Sequence, residues 1–250
     1  MDLPIGRKVA IQRKMKNLSQ VQLGKKLNIN RSSVSKIETG IQVITPMLAK
    51  ELGHIFQVPT TYFLPAKRDE NITQDSLALS NQLFKGELEL AKQTSSRLII
   101  PINHFHQELE ASFLLAACYY SNGEYEKALK LEHHFLKFFL AEFPLDINFS
   151  KFDTLGTPPQ IFTFYYQYLV NRACYQANYV DGEQATRNLL LLVADETQRL
   201  AVELTLAYFL LQQNKLNDGY LQGTSLIIIQ RKRTVKWQPF STKKERELKL

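Results

Sequence analysis

Apolar residues recur at helical spacing through the first quarter of the chain, and polar turn residues interrupt them at short intervals. Residues 18–40 read LSQVQLGKKLNINRSSVSKIETG, in which two short amphipathic segments flank a polar corner. Ser19 is followed three positions later by Gln22, a capping-box spacing in which each side chain satisfies a backbone N–H at a helix start. The pattern predicts two short helices joined by a tight turn, which is a helix-turn-helix.

The corner and the second helix of this pair are predicted from their own residue types. Asn28 can adopt the left-handed conformation that a tight turn requires, and Asn30 can cap the next helix. That helix is expected from Arg31 to Thr39, with Val34 and Ile37 buried on one face. The opposite face is polar and consists of Arg31, Ser32, Ser35 and Lys36.

Gly24 lies within the first helix of the pair, where a glycine costs about 1 kcal/mol relative to alanine. The close crossing of two short helices leaves little room at one position of the first helix. A residue without a side chain lets the two backbones approach there. We therefore expect Gly24 to serve packing.

Three further segments complete a predicted bundle of five helices. Residues 5–16 are amphipathic, residues 45–57 begin with a Thr-Pro pair typical of a helix start, and residues 60–64 form a short last turn. The head of the chain is therefore expected to be a compact all-α domain.

The chain beyond residue 76 is expected to be helical as well. Residues 114–129 read LLAACYYSNGEYEKAL, with the order of small residues, aromatics and a turn glycine found in a tetratricopeptide-repeat hairpin. Weaker copies have turns near Asn178 and Asn214, a separation close to the period of about 34 residues of this repeat. We predict an all-α protein in which the head is followed by a solenoid of helix hairpins resembling tetratricopeptide repeats.

The net charge of +7 is unevenly distributed. Residues 1–68 carry twelve lysines and arginines against three acidic residues, and residues 69–230 carry eleven against nineteen. Residues 231–250 carry eight against two. A basic head on an acidic body indicates that the head is the part that meets a polyanion.

The expected domains follow from these patterns. They are a helix-turn-helix domain at 1–64, a polar linker at 65–76, a helical effector and dimerisation domain at 77–230, and a basic tail at 231–250.

Secretion, membrane insertion and catalysis find no support in the sequence. The first residues lack a basic segment followed by an apolar run, and the apolar runs are far shorter than the about 20 residues that span a bilayer. The sequence lacks a phosphate-cradling glycine loop and a nucleophile elbow. His104/His106 and His133/His134 resemble pairs of metal ligands, but no third ligand of the right type lies nearby in the sequence. We expect a cytoplasmic protein that is not an enzyme, binds no cofactor or metal and does not contact membranes.

The head resembles the Cro/phage-repressor (XRE) type of helix-turn-helix domain. The resemblance rests on Leu18-Ser19-Gln20, Leu23-Gly24, Ile29-Asn30, Val34-Ser35-Lys36-Ile37-Glu38 and Gly40, followed by Pro46, Leu52 and Phe63. It implies that the second helix of the pair enters the major groove of double-stranded DNA while the first crosses the phosphate backbone. The implied base contacts are Arg31, Ser32, Ser35 and Lys36, and the implied phosphate contacts are Ser19, Gln20 and Thr39.

A domain of this size reads few base pairs, so we expect a homodimer on a palindromic site. Glu38 is the exception on the polar face, because a carboxylate facing DNA would be repelled. It is expected to bond within the domain.

The combination of an XRE-type head and a repeat-like body is similar in architecture to the RNPP group of peptide-responsive bacterial regulators, which act in quorum sensing. The resemblance implies that a short signalling peptide on the helical domain modulates DNA binding. The candidate effector residues share one predicted helix and are Tyr168, Asn171, Arg172 and Tyr175. Asn171 is the candidate clamp, since an asparagine offers both a donor and an acceptor to a peptide backbone.

Other interpretations remain open. The tyrosine spacing also suits packing between helices. The body could bind a regulatory protein, such as an antirepressor, in place of a peptide. Alternatively, the chain could be a scaffold that uses its solenoid for partners and does not bind DNA.

Overall fold

The computed structural model describes residues 5–138 and 159–213. All regular elements within these ranges are helical. The α-helices are α1 (Gly6–Met15), α2 (Gln20–Lys26), α3 (Arg31–Glu38), α4 (Pro46–Phe56), α5 (Glu70–Lys85), α6 (Leu88–Ser95), α7 (Phe105–Ser121), α8 (Tyr125–Leu131), α9 (Pro159–Gln176), α10 (Tyr179–Leu192) and α11 (Glu196–Gln212). Thr60–Phe63 forms a 3-10 helix and Glu132–Leu136 a π-helix. The all-α fold with an N-terminal helix-turn-helix is confirmed.

Local side-chain chemistry sets the helix boundaries of the head. The Ser19 hydroxyl accepts a hydrogen bond from the backbone N–H of Gln22, and the Gln22 side chain accepts one from the backbone N–H of Ser19. Asn30 and Thr45 cap α3 and α4 in the same way, through their side-chain oxygens. Asn28 has a φ of 53°, the left-handed conformation expected at the corner.

Glycines let backbones approach closely within the head, and Gly24 and Gly6 are two examples. A Cβ atom at Gly24 would lie 2.7 Å from the carbonyl oxygen of Ile29, so the glycine admits the backbone of the corner, as its position suggested. Gly6 is tighter still. A Cβ atom there would lie 1.9 Å from the carbonyl oxygen of Ile37, which fixes the start of α1 against the last turn of α3.

The core of the head is a single apolar cluster drawn from all five of its helical elements. Its buried members are Val9, Leu23, Leu27, Val34, Ile37, Ala49, Leu52, Phe56, Tyr62 and Phe63. The rings of Phe56 and Phe63 lie 5.8 Å apart and close the bundle where α4 meets the 3-10 helix.

The described residues divide into two compact units, and each unit is built from three separate segments of the chain. The first takes its residues from 5–74, 98–112 and 129–138. The second takes them from 75–97, 113–128 and 159–213. Helix α5 begins at Glu70, inside the stretch 65–76 that the sequence suggested as a linker.

The second unit contains the expected helix hairpins. Helix α10 packs on both α9 and α11. The turn between α9 and α10 has Ala177 at a φ of 53° and Asn178 as the cap of α10, and the turn after α7 has Gly123 at a φ of 76°. The turn expected near Asn214 and the basic tail 231–250 lie outside the described residues.

The described helices include none that is long and apolar enough to cross a membrane.

The Gly6→Ala substitution tests the contact between α1 and α3. Because the added methyl group would overlap a backbone carbonyl that cannot rotate away, we expect the free energy of unfolding to fall by about 1–3 kcal/mol. Urea unfolding measures the change. The matched control is Lys25→Ala on the exposed side of α2, which should change stability little. Equal stabilities of the two variants would contradict the close approach.

Candidate nucleic-acid interface

Helix α3 separates a buried face from an exposed polar face. Val34 is fully buried and Ile37 nearly so. On the other side Arg31, Ser32 and Lys36 are exposed, and Ser35 is half-buried. The four residues that the sequence suggested as base contacts therefore share the outer part of one short helix.

The start of α3 is held by side chains as well as by backbone. The Asn30 side-chain oxygen accepts hydrogen bonds from the backbone N–H of Ser33 at 2.8 Å and from the hydroxyl of Ser32 at 2.7 Å. Ser32 therefore has its hydroxyl proton committed to the cap. Its oxygen still has lone pairs that can accept from a base edge.

The end of α3 is held by a buried carboxylate. Glu38 accepts hydrogen bonds from Arg13 Nε at 2.6 Å and Arg13 Nη2 at 3.1 Å, a two-pronged ion pair whose side chains are 11% and 7% exposed. Arg13 Nη1 also donates to the carbonyl oxygen of Leu18 at 2.8 Å. One guanidinium thus joins α1, the start of the helix-turn-helix and the end of α3. Glu38 bonds inside the domain, as its charge required.

Gln20 connects this buried pair to the exposed face. Its side-chain nitrogen donates to Glu38 Oε2 at 2.9 Å, and its oxygen accepts a long hydrogen bond of 3.5 Å from Arg31 Nε. The chain of contacts runs from Arg13 through Glu38 and Gln20 to Arg31. It ends at the guanidinium of Arg31, one of the four residues that the sequence suggested as base contacts.

The other two candidate phosphate contacts also have internal roles. The Ser19 oxygen accepts from the capping-box N–H, and its own proton can still be donated to a phosphate. The Thr39 hydroxyl donates to the carbonyl oxygen of Ser35 at 2.9 Å, so it can serve a phosphate only through a rearranged bond. The roles of Ser19, Gln20 and Thr39 at DNA stay predictions.

The sequence reasoning missed several residues near this surface. Arg13 carries the network but lies 25 positions from its partner Glu38, a distance at which no local pattern points to the pair. Ile41, Val43 and Met47 are 76%, 80% and 72% exposed in the uncharged stretch that follows α3. In the sequence, these three positions could have been recognised as apolar residues in a segment that also contains turn residues.

The candidate effector residues lie in the second unit, and three of them pack internally. Tyr168 is buried with its ring 5.6 Å from that of Phe113, and the Tyr175 ring stacks on Tyr125 at 4.1 Å. These contacts match the packing interpretation of the tyrosine spacing.

Asn171 is also held from both ends of its amide. Its side-chain oxygen accepts from the Ser121 hydroxyl at 2.6 Å, and its nitrogen donates to the carbonyl oxygen of Gln167 at 2.7 Å. A peptide backbone would have to replace one of these bonds.

Arg172 is the candidate that borders open space. It lines a cavity of about 240 Å³ between α9 and α10, together with polar side chains that include Asp181, Gln184 and Asn188. This volume accommodates one or two side chains of a ligand, since sites for whole small molecules measure about 300–1,000 Å³.

Comparison with known proteins identifies the head. Residues 9–63 match the helix-turn-helix family (HTH_3), so this part of the chain is a helix-turn-helix domain. No curated protein matches the chain. Among solved structures, the chain is similar to Bacillus thuringiensis PlcR, crystallised in complex with the peptide PapR7 and DNA, at 15% identity and a TM-score of 0.37. The match covers 93% of this chain and 81% of that one, but a similarity of this degree does not establish a common arrangement of helices.

The Glu38→Gln substitution tests the buried network. An amide cannot accept from both prongs of Arg13 without presenting its own N–H groups to the guanidinium. We expect a loss of about 3 kcal/mol in the free energy of unfolding, because the buried guanidinium of Arg13 is left without a charged partner. Urea unfolding measures it, with Glu51→Gln on the exposed side of α4 as the control. A variant as stable as the native chain would show that the pair contributes nothing to the fold.

Proposed function

We propose that this protein is a sequence-specific DNA-binding transcription regulator that binds a palindromic operator as a homodimer. The observation that carries the proposal is the exposed polar face of α3 on a helix-turn-helix domain, with Arg31 in long contact with Gln20, which also bonds Glu38. The excess of basic residues in the head supplies the attraction to phosphates.

In this proposal Arg31 reads a guanine through its two-pronged fork, and Lys36, Ser32 and Ser35 complete the reading face. Arginine matches the O6 and N7 acceptors of guanine in the major groove, a pairing worth about 1–3 kcal/mol of discrimination. Ser19 and Gln20, at the start of α2, hold the phosphate backbone.

A homodimer follows from the small footprint of one α3. Two heads about one helical turn apart read two half-sites and multiply the specificity. Basic heads repel each other, and the uncharged stretch with exposed Ile41, Val43 and Met47 gives two copies a surface without like charges. This supports a dimer in which the heads, as well as the helical body, make contact.

Selection of genomic DNA fragments by the purified full-length protein at near-physiological salt tests the proposal. We expect a palindromic site to be enriched. The selection is repeated at several salt concentrations with protein that is shown to be folded. If no sequence is enriched, a scaffold that uses the helix-turn-helix domain as an adaptor is favoured.

The Arg31→Ala variant tests the reading face on the selected site. Loss of the bidentate contact should weaken binding about 10-fold or more and relax the preference at one base pair in each half-site. Arg31→Lys should not restore that preference, because an ammonium is a point charge without the planar fork. Gel-shift titrations measure both effects, and Lys85→Ala on the exposed side of α5 is the control. If Arg31→Ala keeps the site preference of the native chain, the proposed placement of α3 in the major groove is wrong.

We further propose that an effector acts on the helical body and that a short peptide is its most suitable class. The support is the architecture of helix hairpins, which suits an extended peptide, and the cavity between α9 and α10 bordered by Arg172. Because Tyr168, Asn171 and Tyr175 pack within the unit, Arg172, which lines the cavity, is the member of the candidate set that we place at the ligand.

A library of short synthetic peptides, screened for an effect on the gel shift, tests the effector. A peptide that changes DNA affinity in the native chain should lose at least about 10-fold in potency in Arg172→Ala, since its charged contact would be removed. Arg187→Ala is the matched control, as that arginine lies on the exposed side of α10 and pairs with Glu183. If no peptide acts, the protein-controlled repressor becomes the favoured form of regulation.

A further inference from the structure

The first two turns of α7 present polar side chains that are fully buried. Gln107 and Glu108 are 0% exposed and Glu110 is 1% exposed. Their partners come from the helix-turn-helix head and from the stretch directly after it. All of these residues belong to the first compact unit.

Glu108 is tied to the head through a phenol. Tyr62 Oη, from the 3-10 helix, donates to Glu108 Oε2 at 2.6 Å. Lys8 of α1 donates to the carbonyl oxygens of Tyr62, at 3.0 Å, and of Asn103, and its ammonium lies 4.2 Å from the centre of the Tyr62 ring. A phenol, an ammonium and a carboxylate are thus packed together without exposure to water.

Glu110 and Gln107 attach the stretch that follows the head. Arg68 Nη2 lies 2.6 Å from Glu110 Oε2. Gln107 donates to the carbonyl oxygen of Asp69 at 2.6 Å and to the Thr73 hydroxyl at 2.9 Å, and it accepts from the Asp69 N–H at 2.8 Å. We call the set Lys8, Tyr62, Arg68, Gln107, Glu108 and Glu110 the latch.

We propose that Glu108 and Glu110 are positioning residues for DNA binding: through the latch they hold the head on α7 and fix the orientation in which α3 is presented. This inference rests on the proposed DNA-binding function. The latch uses α1 and the 3-10 helix, whereas the exposed side chains of α3 take no part in it. It therefore orients the reading face without covering it.

The latch has a proton-dependent signature. Burial raises the pKa of Glu108 to about 7, against smaller opposing effects of the Tyr62 hydrogen bond and the Lys8 charge. Burial and the neighbouring carboxylate raise the pKa of Tyr62 well above its usual value, so the phenol remains a donor. Glu108 Oε1 is buried without a hydrogen-bond partner, an arrangement that favours the neutral acid.

The sign of the pH dependence follows. A carboxyl whose pKa is higher in the docked state than in the open state stabilises docking at acidic pH, and this contribution is lost as the pH rises through about 7. Between pH 6 and pH 8 the attachment should weaken about 10-fold. Further buried titratable groups lie on the elements that adjoin the latch: His104 before α7, His106 in α7, and Glu132 in the π-helix that packs on α1.

Hydrogen exchange of the full-length protein tests the attachment. Protection factors of backbone amides in residues 60–73 and 98–112, corrected for intrinsic rates, should fall about 10-fold from pH 6 to pH 8 in the native chain. The Glu108→Gln variant keeps the shape of the neutral acid. In this variant the part of the fall that comes from Glu108 should disappear, and any part that comes from the histidines should remain. Glu126→Gln, on the exposed side of α8, is the control. The same pH dependence in the native chain and in Glu108→Gln would overturn the proton-linked latch.

The positioning role is tested on the operator recovered by fragment selection, with base pairs inserted between its half-sites. The native chain should prefer one spacing by at least 10-fold. The double variant Gln107→Ala/Glu110→Ala, shown by circular dichroism to be folded, should lose that preference and still bind a single half-site within about twofold. An unchanged spacing preference would make the latch a purely structural feature. If selection recovers no site, the positioning role fails with the proposed function, while the exchange experiment still decides whether the latch exists.

Discussion

The head depends on the burial of one carboxylate at the end of α3. Glu38 is nearly inaccessible to water, and it is compensated by the fork of Arg13 and the amide of Gln20. A carboxylate in such a place is tolerated only when its lone pairs are filled. Helices α1, α2 and α3 must therefore pack in one relative position for the domain to form, because they supply Arg13, Gln20 and Glu38 respectively. The direction of the exposed face of α3 follows from that position.

The parts of this design that could be read from the sequence are local ones. The Ser19 and Gln22 capping box, the left-handed Asn28 and the caps at Asn30 and Thr45 depend on residues within a few positions of one another. Such signals survive in a single sequence because the physics that produces them acts over one helical turn. The five-helix head was predictable for that reason.

The long-range polar contacts could not be read in the same way. Residues 65–76 are polar and charged, the composition of a solvated linker, yet Arg68, Asp69 and Thr73 form hydrogen bonds with side chains of α7. Their partners lie some forty positions along the chain. Composition alone does not distinguish a polar residue in water from one that meets a buried partner. In the body, the tyrosine spacing identified the helix, but only the folded structure shows that Tyr168 and Asn171 face its neighbours.

Both polar clusters of the first unit stand where an apolar core would give comparable stability. Replacing a buried ion pair with well-packed apolar residues is often neutral or stabilising, so stability alone does not account for the Glu38 pair or for Glu108 beside Tyr62. What a hydrogen-bonded charge adds is direction, because its geometry is satisfied in few arrangements whereas apolar surfaces pack in many. A protein that reads DNA needs direction more than an extra margin of stability. In the proposed function the Glu38 set directs α3 within the head, and the role we propose for the latch is to direct the head on α7.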